Sequence, residues 1–119
     1  MKTYYMEIAV LPTKSNAQYD LVASATAHCW ILENIPSNAY RKVCFNIEKF
    51  DWEIKETVLI PTEVTANDFQ DADIGLDNYN KTQEEGMAIV YIGVSRDGKT
   101  EKRSEEHTSD LQSRQSISY

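Results

Sequence analysis

"IPSNAYRKVCFNIEKF", residues 35–50, is where the rhythm of the chain changes. Ala39, Tyr40, Val43, Cys44, Ile47 and Phe50 recur at steps of three and four, which lines them along one face of a helix. Pro36 suits the first helical turn, where its missing N–H costs nothing. Arg41, Lys42, Glu48 and Lys49 fall mostly on the solvent side. On both flanks the period is two, so the helix sits between strands.

Upstream, "LVASATAHCWILE" (21–33) places Ala25, Ala27, Cys29 and Ile31 on one strand face and Ser24, Thr26, His28 and Trp30 on the other. Before it, "TYYMEIAVL" (3–11) alternates Tyr4, Met6, Ile8 and Val10 against Tyr5 and Glu7. The polar "PTKSNAQYD" between them reads as a loop, so the pair is expected to form an antiparallel hairpin. Downstream, "DWEIKETVLIP" (51–61) returns to alternation, with Trp52, Ile54 and Val58 assigned to one face.

In residues 64–86, Thr65 and Asp68 have capping-box spacing, which predicts a helical turn. A helix over 76–85 should follow, ended by Gly86. "MAIVYIGVS" (87–95) is nearly all apolar, the mark of a central strand buried on both faces. The expectation is an α+β fold in the order β-β-α-β-α-β. It has a four-stranded antiparallel or mixed sheet and two helices on one face, ferredoxin-like in layout. One domain over 1–102 is expected, with a fifth strand to follow.

Composition narrows the function classes. A chain of 119 residues suits one domain, and 41% hydrophobic residues suit a globular one. A net charge of −7 speaks against a nucleic-acid binder, which needs clustered Lys and Arg. The N-terminal stretch lacks the continuous apolar core of a signal peptide, and no run approaches the roughly 18 apolar residues of a membrane span. Cys29 and Cys44 then read as reduced thiols of a cytoplasmic protein. "NKT" at 80–82 is a glycosylation sequon only in form.

Three chemistries are suggested by pattern. "GVSRDGKT" (93–100) satisfies the phosphate-loop spacing, with Gly93, Gly98, Lys99 and Thr100 as the cofactor-binding set of a nucleotide-binding alternative. The segment after it has no apolar face until Leu111 and so cannot pack as the helix that chemistry needs. Asp97-Gly98 after a strand is more simply a hairpin turn. The acidic run from Asp71 fails as a calcium loop: its fifth position is Gly75, its sixth Leu76 and its twelfth Thr82. His28 and Cys29 are neighbours on a strand and face opposite ways, which removes them as a catalytic pair. No catalytic, metal or cofactor site is assigned.

What remains is a surface. If both helices cover the face of Met6, Ile8, Cys29 and Ile31, the opposite face presents Tyr5, Glu7, His28, Trp30 and Lys55. Amphipathic aromatics among scattered charges suit protein binding. The alternative is that Trp30 packs inward against neighbours.

Two resemblances complete the reading. The strand bearing Trp30, the helix opened by Pro36 and the "WEI" strand at Trp52 follow one another as in small bacterial α+β domains of unknown function, a resemblance that implies no activity. "RSEEHTSDLQS" (103–113) resembles the translation of a short-read sequencing adapter, with Asp110 where that translation has Glu. Residues 103–119 are accordingly expected to be a disordered, non-native tail. The expected function is a small interaction module of the immunity-protein or regulatory-partner kind, with a protein partner.

Overall fold

The computed structural model describes residues 1–69 and 73–96, Asp73 by its backbone alone. The order is β1 (Lys2–Pro12), β2 (Val22–Glu33), α1 (Pro36–Lys49), β3 (Trp52–Val64), a 3-10 turn (Ala66–Phe69), α2 (Asp73–Glu85) and β4 (Met87–Ser95). The expected β-β-α-β-α-β succession stands, in a four-stranded sheet of order β3-β1-β2-β4. Every pairing is antiparallel. The expected hairpin, tail and fifth strand beyond Arg96 lie outside the described residues, as does the start of the calcium-like run at 70–72.

Helix α1 forms where the 3.6-residue period predicts it. Ala39, Val43 and Ile47 are buried, and Tyr40, Cys44 and Phe50 pack at the margin. They seat against Tyr4, Met6, Ile8 and Val10 of β1 and Ala25, Ala27, Cys29 and Ile31 of β2. The helix ends at Phe50, and Asp51 turns the chain straight into β3 with φ 69°. Asp tolerates this left-handed conformation better than most side chains. Its carbonyl accepts from the Thr13 N–H at 3.0 Å, the Thr13 hydroxyl at 3.1 Å and the Asn16 amide at 3.0 Å. The β1–β2 loop is thereby tied to the α1–β3 junction.

The two helices lie on opposite faces, not on one. Phe69 of the 3-10 turn and Tyr79 of α2 pack with Tyr5, Trp30, Ala88, Val90 and Ile92 in a second cluster. Trp30 follows Cys29 on one strand, so this cluster covers the face that α1 leaves open. The reason is the continuous apolar run of β4. It buries Ile89 and Tyr91 on the α1 side and Ala88 and Val90 on the other, and helices on one face cannot cover both. The ferredoxin-like layout fails on the same ground and on order, since that fold runs β-α-β-β-α-β.

Among the described residues β4 is also an edge strand rather than a central one, paired there with β2 alone. Arg96 closes its end: the guanidinium donates to the Tyr19 carbonyl at 2.8 Å and the Val22 carbonyl at 3.1 Å. Helix α2 buries small polar residues instead of leucines. The Thr82 hydroxyl donates to the Asn78 carbonyl at 2.7 Å and the Asn78 amide to the Ile74 carbonyl at 2.8 Å. Gly75 lets this helix meet the 3-10 turn, because a Cβ there would stand 2.7 Å from the Phe69 ring.

Strand β3 departs from simple alternation. Val10 pairs with Ile54 and Ala9 with Glu56; Ile8 pairs with Thr57 and Glu7 with Leu59. Lys55 and Val58 are therefore bulge residues with no partner on β1. Val58, assigned to the core face from alternation, is instead 52% exposed. Each inserted residue shifts the period by one and turns the following side chains over.

Candidate functional site

Two regions hold functional promise. The first is the sheet face singled out from sequence. Tyr5, Glu7, His28 and Trp30 do meet there, because β1 and β2 pair Tyr5 with Trp30 and Glu7 with His28. Lys55 does not join them; it is exposed on the bulged edge strand β3. Trp30 is 2% exposed, and its ring lies 4.9 Å from Tyr5 and 5.8 Å from Phe69. Of the two readings of Trp30, inward packing is the one realised. The 3-10 turn and α2 cover it, so it is the core of the second layer and not a contact surface.

Beside that core sits a hydrogen-bonded chain. The Tyr5 hydroxyl lies 2.6 Å from Glu7 Oε2 and 2.8 Å from His28 Nδ1. Burial, reinforced by the bond to Glu7, raises the Tyr5 pKa far above the usual phenol value, so the hydroxyl keeps its proton. The shorter bond to a carboxylate takes that proton. The Tyr5 oxygen then accepts from His28 Nδ1–H, which leaves Nε2 as the free acceptor. Among the described residues Nε2 has no hydrogen-bond partner. A neutral imidazole fixed in one tautomer can accept a proton. Cys29 cannot serve it as a nucleophile, because the Cys29 side chain points to the other side of the sheet.

Burial lowers the His28 pKa from 6.5, against the opposing pull of Glu7. The sign follows directly. Below pH 6.5 the unfolded chain takes up a proton that the folded chain refuses, so stability falls as pH drops through that value. Above it the contribution is complete. Denaturant midpoints measured from about pH 7 to about pH 5 should fall less steeply for His28→Gln than for the parent. Equal slopes would remove His28 as a titrating contributor.

Burial likewise pushes the Cys29 and Cys44 thiols up, Cys29 most, so neither is an activated nucleophile. Both are free. No cluster of His, Cys, Asp or Glu able to hold a metal exists among the described residues. Gly93 lies inside β4, where a Cβ would stand 2.8 Å from the Ser24 carbonyl oxygen; close strand packing accounts for its being glycine. Gly98, Lys99 and Thr100 lie outside the described residues. No helix among the described residues is long and apolar enough to cross a membrane.

The second region was not singled out from sequence. An apolar groove of about 450 Å3 runs between the start of α1 and β3, lined by Pro36, Ser37, Tyr40, Thr57, Ile60 and Pro61. The Tyr40 and Thr57 hydroxyls bond to each other across it at 2.7 Å. Of its lining, Ile60 is 70% exposed; Ile35, next to Pro36 in the chain, is 51% exposed. The signal was present in "VLIP" (58–61): a run of apolar residues on a strand cannot all face one core, and Pro61 marks an edge. A more polar cleft of about 380 Å3 lies between α1 and the α2–β4 turn, lined in part by Lys42 and Asn46. Its cation is engaged, since Lys42 binds Glu33 and holds that carboxyl below its ordinary pKa.

No family model matches the chain, and no curated protein sequence or solved structure is significantly similar to it.

Proposed function

We propose that the chain is a small protein-interaction module that binds its partner through the groove between α1 and β3. The observation that carries this reading is the exposed apolar run on β3 beside that groove. Exposed apolar side chains gathered at a groove are the mark of an interaction site. Tyr40 supplies a rigid amphipathic wall, and Ile60 with Pro36 and Pro61 supplies the apolar area that a partner would cover. The groove holds no titratable pair suited to catalysis, so binding is the activity its chemistry supports.

Peptide-display selection against the immobilised protein tests this. Selected peptides should share an apolar anchor and bind the Ile60→Asp variant at least about ten-fold more weakly, which is about 1.4 kcal/mol. The unfolding midpoint of that variant should match the parent, because Ile60 is 70% exposed. Peptides that bind both proteins equally would show that the groove is not the site.

A further inference from the structure

The hydrogen-bonded chain of Tyr5, Glu7 and His28 has a geometry that suits a second use. The phenol oxygen lies 2.6 Å from Glu7 Oε2 and 2.8 Å from His28 Nδ1, and those two atoms stand 3.8 Å apart. Three such lengths make a right-angled triangle with the phenol oxygen at the right angle. The midpoint of its long side is therefore about 1.9 Å from all three atoms, close to the roughly 2.0–2.2 Å of metal bonds to nitrogen and oxygen.

An ion at that midpoint would have the imidazole and the carboxylate in line on either side and the phenolate at right angles to both. These are three corners of a square plane, with the fourth left for water. Tetrahedral ligation, as zinc prefers, would set each pair of donors about 3.3 Å apart at those bond lengths. Two of the observed distances fall short of that and the third exceeds it. Square-planar binding by nitrogen and oxygen is the mark of Cu2+ and Ni2+, and Cu2+ heads the affinity order of the divalent metals.

The fold holds the donors in place. Glu7 and His28 are paired across β1 and β2, and Tyr5 shares the Glu7 side of β1. The Tyr5 ring is wedged 4.9 Å from Trp30 and 5.5 Å from Phe69. The Glu7 and His28 side chains are 28% and 24% exposed, which leaves an ion a way in. A chain of net charge −7 also draws cations toward it.

We propose that Tyr5, Glu7 and His28 form a binding site for a divalent copper ion. The site holds two members of the His, Cys, Asp and Glu set, and the phenol of Tyr5 makes the third donor. On binding, the phenol proton leaves to solvent and the imidazole proton passes from Nδ1 to Nε2. Nδ1, the phenolate and the carboxylate then each give an electron pair, and one proton is released per ion.

Titration of the full chain with Cu2+ alone tests the proposal, followed by visible absorption and by proton release in weak buffer. The expected result is a phenolate-to-copper charge-transfer band that saturates at one ion per chain, with one proton released. Tyr5→Phe, which keeps the packed ring, should abolish the band. Glu7→Gln and His28→Gln should each weaken copper binding at least about ten-fold, and Zn2+ should bind the parent at least about ten-fold more weakly than Cu2+. Should Tyr5→Phe fail to fold, Glu7→Gln decides, because the amide still accepts the Tyr5 bond. Copper bound without the band, or no copper bound, overturns the proposal. So does a band that Glu7→Gln or His28→Gln leaves at full strength and affinity, and so does Zn2+ binding as tight as Cu2+. The groove of Tyr40 and Thr57 lies on the α1 face and this site on the other, so copper binding and peptide binding succeed or fail separately.

Discussion

Replacing Trp30 by alanine is expected to lower the stability of the fold by about 3–5 kcal/mol, the cost of emptying a buried tryptophan site. A residue serving only as a contact surface would leave stability within about 0.5 kcal/mol of the parent. The larger effect follows from where Trp30 sits. It is 2% exposed and touches Tyr5 from β1 and Phe69 from the 3-10 turn. It therefore fastens that turn and α2 to the sheet, and its removal leaves a cavity that the rigid strands cannot collapse. Among the described residues its buried indole N–H has no hydrogen-bond partner. Trp30→Phe should thus cost much less than Trp30→Ala, because the ring contacts largely survive and an unsatisfied donor disappears. Urea unfolding followed by far-ultraviolet circular dichroism measures both. An unchanged midpoint for Trp30→Ala would mean that the second layer contributes nothing to the folded state.

Trp52→Ala should cost as much, about 3–5 kcal/mol, from the opposite face of the sheet. Trp52 opens β3, is 1% exposed, and stacks on Tyr91 of β4 with ring centroids 4.5 Å apart and planes 11° from parallel. These two strands are the outermost of the four described, so the stacked pair spans the first core across them. Losing it removes both the tryptophan contacts and the cover over Tyr91. The buried Trp52 indole N–H also has no hydrogen-bond partner among the described residues, so Trp52→Phe is again expected to be far milder than the alanine change. Thermal unfolding distinguishes the two substitutions. An alanine variant as stable as the phenylalanine variant would mean that the stack is not a source of stability.

A domain of this size is stable by only about 5–15 kcal/mol in total. Either alanine substitution would therefore consume a large share of it. The two sites belong to different clusters, so the second layer, built by the short 3-10 turn and a polar helix, is a substantial part of the fold rather than an ornament on it.

The α1 layer was legible because its signals are local. Period 3.6 in residues 35–50 and period 2 in residues 3–11 and 21–33 state which side chains share a face, and Ala39, Val43, Ile47, Met6, Ile8 and Cys29 are buried as those periods require. The α2 layer was illegible for an equally physical reason. Its helix faces the sheet with Asn78 and Thr82, whose polar groups bond to the helix's own carbonyls, so no apolar stripe advertises the buried side. The candidate groove left only the apolar run at 58–61 as its trace, because the bulges at Lys55 and Val58 defeat a periodicity count.

By itself, then, the sequence determined the order and type of the elements, the helix face of α1, and which residues of β1 and β2 share a side. Each of these follows from the stereochemistry of neighbouring residues. Only the tertiary structure decided that α2 crosses to the far face, that β4 pairs with β2, that Trp30 is core, and that Ile60 stands in solvent. Those depend on which strands pair and in what register, and pairing is settled by the joint burial of residues far apart in the chain.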